Sequence, residues 1–275
     1  MNPKLDSADD IAAYNRAAWD CQVRKKNRWT IPVSPEKIQQ ARNDDWQIIL
    51  TPEKPVPREW FPDFRANTIE VLCLAGSGGQ QAPILAAAGA NVTVLDNSPA
   101  QIAQDKLVAD REGLAINLVE GDMADLSVFE NESFDLIVHP CSNCFVPDVL
   151  PVWKEAARVM KDGANLLSGF VNPLLYLFDY EPMEKGEFKV CHKIPYSDLT
   201  SLSADQRQAY LDDDEPLCFG HSLTDQLGGQ IDAGLAITGM FEDVWSDWPI
   251  SKYIPTFIAS KATKLKNELL KRSTK

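Results

Sequence analysis

The pattern of hydrophobic and polar positions becomes regular near residue 68. From there to residue 170, short apolar runs alternate with longer segments whose apolar positions recur at helical spacing. Continuous apolar runs are typical of parallel strands that are buried on both faces of a sheet. We predict strands at 69–75, 91–96, 116–119, 134–138 and 164–170, and helices at 80–88, 98–112 and 148–160.

This alternation of strands and helices predicts an α/β fold. Parallel strands are joined by right-handed helical crossovers, so we expect a doubly wound, mostly parallel sheet with helices on both faces. Local signals support the helix boundaries. Ser98, Pro99 and Gln101 fit the start of the helix at 98–112 and Gly113 fits its end, while Gly89 fits the end of the helix at 80–88.

The chain outside this core divides into three further parts. Residues 1–67 are predicted to form an N-terminal helical extension, with a helix at 8–28 and a proline-rich arm at 51–62. Prolines and an acidic run interrupt the rhythm at 171–220, which we expect to be an insertion on the substrate side of the sheet. The core is completed by 221–275, with a helix at 222–232 and strands at 235–244 and 254–259.

The charge and the cysteines restrict the class of protein. Among 275 residues, 40 are Asp or Glu and 27 are Lys or Arg, which gives a net charge of −13. Such an acidic surface repels phosphate backbones, so no nucleic acid partner is expected. The chain shows neither a signal peptide nor an apolar run of about 18 residues, so we expect no membrane partner.

The six cysteines are scattered along the chain. Cys141 and Cys144 form a C-x-x-C without a second pair or a nearby cluster of histidines, so no metal site is expected. Scattered thiols in a long chain favour a reduced state, and the expected location is therefore cytoplasmic.

Three consecutive predicted strand ends carry residues suited to binding one adenosine. The first strand is followed by the glycine-rich turn 76–79, which lets a ligand approach the backbone. Asp96 ends the second strand, where a carboxylate can accept hydrogen bonds from both ribose hydroxyls. Asp122 follows the third strand, where it can meet an adenine amino group. In an open α/β sheet, ligands bind at these carboxyl ends of the strands.

With these features, the sequence resembles the class I (Rossmann-like) methyltransferases that depend on S-adenosylmethionine (SAM), in particular the small-molecule, methyltransferase-11-like branch. The resemblance extends over 69–170. It implies a seven-stranded sheet with an antiparallel last strand, and in-line SN2 transfer of the SAM methyl group to a small-molecule acceptor. It also implies cofactor contacts from Ala75, Gly76, Ser77, Gly78, Gly79, Asp96, Asn97, Asp122, Met123 and His139.

The glycine loop departs from the family pattern at two points. The acidic residue expected two places before the first glycine is Cys73, and the first two glycine positions hold Ala75 and Ser77. The group that meets the SAM amino group is therefore expected to lie elsewhere, and main-chain carbonyls are one hypothesis.

Two histidines are candidate catalytic residues. His139 follows the fourth strand, where it can act as a base, position the substrate or pack against the cofactor. His221 follows the insertion, where it can face the substrate or only cap a helix. His192 is expected at the surface. Tyr14, Asn15 and Trp19 are candidates to cover the cofactor, although aromatic residues at helical spacing more often only pack.

Two other functions remain open at this point. An NAD(P)-dependent oxidoreductase shares the first half of this fold, but it requires G-x-G-x-x-G, and Gln81 stands where the last glycine is needed. A SAM-binding regulatory protein without catalytic activity is compatible with the altered glycine loop.

Overall fold

The computed structural model describes residues 5–66 and 68–266. Nine strands and nine α-helices lie in these ranges. The strands are β1 (Glu70–Leu74), β2 (Asn91–Asp96), β3 (Ile116–Glu120), β4 (Phe134–His139), β5 (Met160–Val171), β6 (Tyr196–Ser197), β7 (Phe219–Gly220), β8 (Leu235–Asp243) and β9 (Phe257–Lys264). The helices are α1 (Ala8–Arg24), α2 (Pro35–Arg42), α3 (Gln81–Ala87), α4 (Pro99–Glu112), α5 (Leu150–Val159), α6 (Tyr180–Glu184), α7 (Asp198–Ser201), α8 (Ala204–Asp212) and α9 (Gly229–Asp232).

Seven of the strands form one sheet in the order β3-β2-β1-β4-β5-β9-β8. Strands β1 to β5 pair in parallel, and β9 runs antiparallel to both of its neighbours. The predicted fold class is confirmed, including the antiparallel last strand. Strands β6 and β7 form a separate two-stranded sheet within 171–220.

Side chains of the central strands alternate between two hydrophobic clusters, one on each face of the sheet. Val71 and Cys73 belong to one cluster, which also contains Trp46 and Ile48 from the segment before the sheet. Leu72 and Leu74 belong to the other, together with Trp153 of α5. The segment around the proline-rich arm is therefore part of the core.

Several boundaries differ from the sequence prediction for identifiable reasons. Helix α1 ends at Arg24, well before residue 28, because Lys26 adopts a positive φ of 56°. Strand β5 begins at Met160, which pairs with Phe134 of β4. The predicted helix at 222–232 is a π-helical turn, Thr224–Gly228, followed by the short α9.

The last strand also lies later in the chain than predicted. Strand β9 occupies Phe257–Lys264 rather than 254–259, because its register with β5 pairs Phe257 with Val171 and Thr263 with Asn165. Helix α2 was not predicted, although Pro35 at its first position is a typical start signal.

Candidate active site

A cavity of about 620 Å³ opens at the carboxyl edge of the sheet. The residues that follow β1, β2, β3 and β4 all contribute to its wall. Residues of α1 and of the segment 49–52 line a second side, and residues between 171 and 220 line a third. The predicted extension and insertion therefore both reach the same space as the strand ends.

The glycine loop after β1 is a tight turn whose close neighbours exclude larger side chains. Gly78 has a φ of 117°, and a Cβ atom there would lie 2.7 Å from the Trp29 carbonyl oxygen. Gly79 has a φ of 73°, and its carbonyl oxygen accepts a hydrogen bond from the Val33 amide at 2.8 Å. The N-terminal extension therefore packs directly on this loop, and glycine is required there by both conformation and space.

A buried carboxylate from α4 braces the same loop. Asp105 accepts a hydrogen bond from the Gly78 amide at 3.1 Å. Burial raises the pKa of Asp105 to about 7, although hydrogen bonds from the backbone of Gly79 and Gly78 oppose this rise. Because Cys73 is fully buried and carries no carboxylate, the carboxylate that holds the Gly78 amide comes from α4 rather than from β1.

Asp96 lies at the end of β2 and lines the cavity. Its two carboxylate oxygens accept hydrogen bonds from the Ser77 amide at 3.2 Å and the Ser98 amide at 3.0 Å. Burial raises the pKa of Asp96 to about 6, although these hydrogen bonds favour the ionised form and oppose the rise. The side chain therefore couples the glycine loop to the start of α4.

Two other residues near the strand ends present polar groups. Asp122 lines the cavity after β3, and one of its oxygens accepts a hydrogen bond from the Ala124 amide at 2.8 Å. Gln101 also lines the cavity, and its buried Oε1 has no hydrogen-bond partner within the described part of the chain. Gln101 was not singled out from the sequence, because there it served only as a helix-start signal.

The structure brings most, but not all, of the expected cofactor residues to one wall of the cavity. The residues that line the cavity are Ala75, Gly76, Ser77, Asp96, Asn97, Asp122 and Met123. Gly78, Gly79 and His139 do not line it. Gly78 and Gly79 instead form the side of the turn that packs against the N-terminal extension.

His139 is buried between the sheet and α5. Alternation along β4 places it on the face of Ile137, where its ring meets Trp153 edge to face at 5.8 Å. Its Nδ1–H donates a hydrogen bond to the Leu74 carbonyl oxygen at 2.8 Å. Burial lowers the pKa of His139 to about 4, so the ring is neutral at pH 7. This position does not suit direct contact with a substrate in the cavity.

His221 also lies outside the cavity lining. It is 7% exposed, and its Nε2 is 3.1 Å from the Asn143 carbonyl oxygen. Burial lowers the pKa of His221 despite the hydrogen bond to Asn143. Its contacts fasten the segment after β7 to the loop after β4.

The N-terminal helix reaches the cavity through two of the three predicted residues. Asn15 and Trp19 line it, and the Trp19 ring packs edge to face on Phe145 at 5.1 Å. The Asn15 side chain donates hydrogen bonds to the carbonyl oxygens of Phe145 and Leu217. Tyr14 is not part of the lining, and its hydroxyl donates to the Glu215 carbonyl oxygen at 3.0 Å.

His192 does not lie at the surface, so the expectation of an exposed side chain is wrong. Its side chain is 9% exposed and lines the cavity, and its Nε2 is 2.8 Å from Oδ1 of Asp179. The partner precedes it by 13 positions, without a motif or a periodic pattern that could have linked the two in the sequence.

The charges around the cavity have one sign. Its described lining contains no Lys or Arg and six acidic residues, namely Asp96, Asp122, Asp148, Asp179, Asp198 and Glu215. Such a wall favours a ligand with positive charge and disfavours a pyrophosphate or another anion.

Comparison with known proteins decides the family. A family model described as a methyltransferase domain, Methyltransf_11, matches residues 72–168. A methyltransferase from Bacillus subtilis named YbaJ, itself uncharacterised, is 50% identical over 255 residues, which cover 93% of this chain and 99% of the relative. The chain is a SAM-dependent methyltransferase of the class I fold.

Solved structures of this methyltransferase fold agree with that assignment. A SAM-dependent methyltransferase from Mesorhizobium loti has a TM-score of 0.55 at 17% identity, covering 75% of this chain and 95% of its own. One from Methanosarcina mazei has a TM-score of 0.53 at 21% identity with the same coverage. At these identities the likeness concerns the fold alone. In the described part of this methyltransferase, no helix is long and apolar enough to cross a membrane.

Proposed function

We propose that this methyltransferase binds SAM at the carboxyl ends of β1, β2 and β3 and transfers its methyl group to a small, uncharged molecule held beneath the insertion. The observation that carries the proposal is the single cavity that joins the strand ends to the insertion and contains no Lys or Arg among its described lining residues.

The residues at the strand ends fit the chemical groups of SAM. In this proposal Asp96 and Asn97 hold the ribose, and Asp122 and Met123 meet the adenine. The methionine part would lie along the backbone of 75–77. The unpartnered Oε1 of Gln101 is suited to accept a hydrogen bond from an amino group, the role for which Cys73 offers no carboxylate.

The electrostatics of the cavity favour this cofactor over a dinucleotide. SAM carries positive charge on its sulfonium and its amino group, whereas NAD(P) carries a pyrophosphate. Six carboxylates without a lining cation stabilise the first kind of ligand and repel the second.

The size and the cover of the cavity support a small acceptor. Its volume of about 620 Å³ lies within the range of small-molecule sites, and a cofactor would fill part of it. Helix α1 and the insertion both form walls, and Asn15 ties them together by accepting a hydrogen bond from the Leu217 amide at 2.8 Å. A large polymer would have to displace these elements to reach the strand ends.

The protein's contribution to catalysis is placement and shielding. SAM supplies an electrophilic methyl group when bound, and the surrounding chain holds an acceptor in line with it. Aromatic side chains such as Trp19, Phe145 and Tyr176 line the cavity and exclude water from it.

We also propose a cytoplasmic location. All six cysteines are free, and Cys141 and Cys144 both line the cavity as thiols. An oxidising compartment would expose this neighbouring pair to disulfide formation.

The acceptor class is tested with methyl-labelled SAM. The purified protein is incubated with labelled SAM and an extract of the cells from which it comes, and the products are separated into small molecules, proteins and nucleic acids. Label that appears in the small-molecule fraction, in addition to the cofactor itself, is expected. Label confined to protein or nucleic acid would overturn the proposed acceptor.

A further inference from the structure

His192 and Asp179 are arranged like a histidine base whose ring is oriented by a carboxylate. Nε2 of His192 lies 2.8 Å from Oδ1 of Asp179, and both residues line the cavity. Burial raises the pKa of Asp179, but hydrogen bonds from His192 and Cys191 outweigh this and leave it below its usual value. An ionised Asp179 accepts a hydrogen bond from the Nε2–H of His192, and in the neutral form of an imidazole this tautomer leaves a free lone pair on Nδ1.

The second ring nitrogen of His192 is available for a ligand. Within residues 5–66 and 68–266, Nδ1 has no hydrogen-bond partner, and it does not belong to the buried polar atoms that lack one. Nδ1 is therefore not fully buried, and His192 is one of the residues that line the cavity. The backbone is fixed by a hydrogen bond from the His192 amide to the Leu177 carbonyl oxygen at 3.1 Å.

Two aromatic rings extend the wall beside this imidazole. Tyr196 contacts His192 edge to face at 5.2 Å, and Tyr176 stacks on Tyr196 at 5.2 Å. All three residues line the cavity. A flat, uncharged ring fits such walls, because aromatic rings pack in stacked and edge-to-face arrangements and no lining cation attracts an anionic group.

Three other titratable groups that line the cavity, Asp198, Cys218 and Cys141, are less suited to act as a base. Asp198 accepts hydrogen bonds from the Tyr196 hydroxyl at 2.7 Å and the Cys218 amide at 2.6 Å. Burial raises the pKa of the Cys218 and Cys141 thiols, although the largest cause at Cys218 is its hydrogen bond with Cys144. These groups are poor bases at neutral pH, whereas an imidazole is well matched to it.

From this arrangement we propose that His192 is the general base of the methyl transfer, that Asp179 is its positioning residue, and that the acceptor is an uncharged aromatic compound with a hydroxyl group. This inference rests on the proposed function. Nδ1 takes the hydroxyl proton while the oxygen lone pair forms the new O–CH₃ bond and the C–S bond of SAM breaks. The products are an aryl methyl ether, S-adenosylhomocysteine and a proton, which leaves the imidazolium for solvent.

Two phenols of different acidity distinguish a catalytic role of His192 as a base from a purely structural role. Phenol must lose its proton during attack at about pH 8, whereas 4-nitrophenol is already mostly ionised there and needs no base. The two are compared at saturating concentration, because the acidic lining weakens binding of the anion. For His192→Gln, we expect kcat with phenol to fall by about 10²–10⁴-fold, and kcat with 4-nitrophenol to change by only a few fold. Asp179→Asn should show the same contrast, with a loss on phenol of up to about 10⁴-fold, because Asn does not hold the imidazole in the required tautomer.

A matched control comes from the same insertion. Lys185→Gln breaks an exposed ion pair with Glu181 at 2.6 Å, outside the cavity lining, and should leave both rates within about twofold. SAM affinity, measured by calorimetry, should be unchanged in all three variants.

Three outcomes would overturn the inference. An equal loss of kcat on both phenols would assign the pair a structural role, and no loss on phenol would remove His192 as the base. Transfer to neither phenol by wild-type protein that binds SAM would exclude the aromatic hydroxyl class. A wild-type protein that fails to bind SAM would instead contradict the proposed function, so the two failures are distinguishable.

Discussion

The buried carboxylate of Asp105 accepts a hydrogen bond from the amide of Gly78 at 3.1 Å, across 27 positions of the chain. This contact fixes the glycine loop from the side of α4, while Asp96 holds the neighbouring Ser77 amide from the end of β2. Two carboxylates therefore support the turn that is proposed to receive the methionine part of SAM.

Asp105 should make the stability of the protein depend on pH. Its pKa is raised from 3.8 to about 7 in the folded protein, so its stabilising contribution is complete at low pH and is lost as the pH rises through about 7. Asp105→Asn removes this titration. We expect wild type to lose stability relative to the variant between about pH 4 and pH 7, as measured by urea unfolding in the absence of SAM. A difference in unfolding free energy that is constant over this range would contradict the prediction.

Gly78→Ala should disturb the contact between the N-terminal extension and the glycine loop. The new Cβ would meet the Trp29 carbonyl oxygen at 2.7 Å in addition to the strain of a positive φ. Gly113→Ala is the matched control, because Gly113 also has a positive φ but no atom within 4 Å of the added Cβ. The control should cost about 1–2 kcal/mol. Gly78→Ala should cost more in thermal unfolding and should also weaken SAM binding; equal costs would show that the contact with Trp29 is readily relieved.

Asp96→Ala should weaken SAM binding through loss of the ribose contacts. A hydrogen bond to a charged group contributes roughly 1.5–3 kcal/mol, which corresponds to an increase in Kd of about 10–150-fold. S-adenosylhomocysteine has the same ribose and should lose affinity in parallel. Calorimetry of both ligands measures the effect, and an unchanged Kd would show that Asp96 does not hold the ribose.

His139→Ala should affect stability more than turnover. The side chain is fully buried against Trp153, and its removal leaves a cavity that costs roughly 2–4 kcal/mol. Since His139 does not line the cavity, kcat at saturating SAM should change by less than about threefold below the unfolding temperature. A large loss of kcat without loss of stability would return His139 to the catalytic residues.

The sequence was sufficient to predict the fold and the strand-end residues because both depend on local signals. Apolar runs mark the strands, and Asp96 and Asp122 follow directly from where β2 and β3 end. Ser98 caps α4 by accepting a hydrogen bond from the Gln101 amide at 3.1 Å, as its helix-start pattern indicated.

The substrate side could not be predicted in this way. Asp179 and His192 meet only because the insertion folds back on itself, where Phe178 bridges Val190. The face of the sheet on which His139 lies depends on alternation along β4 and on the packing of α5. The identity of the residue as a histidine after a strand reveals neither of these. Contacts between segments that are distant in the chain leave no periodic signal in either segment.

The most direct test of SAM dependence is calorimetric titration of the purified wild-type protein with SAM, S-adenosylhomocysteine and NADH under the same conditions. Micromolar binding of the first two ligands is expected, with no measurable binding of NADH to a cavity whose described lining carries six carboxylates and no cation. Tight binding of NADH together with absence of SAM binding would contradict the assignment of the strand-end site to SAM.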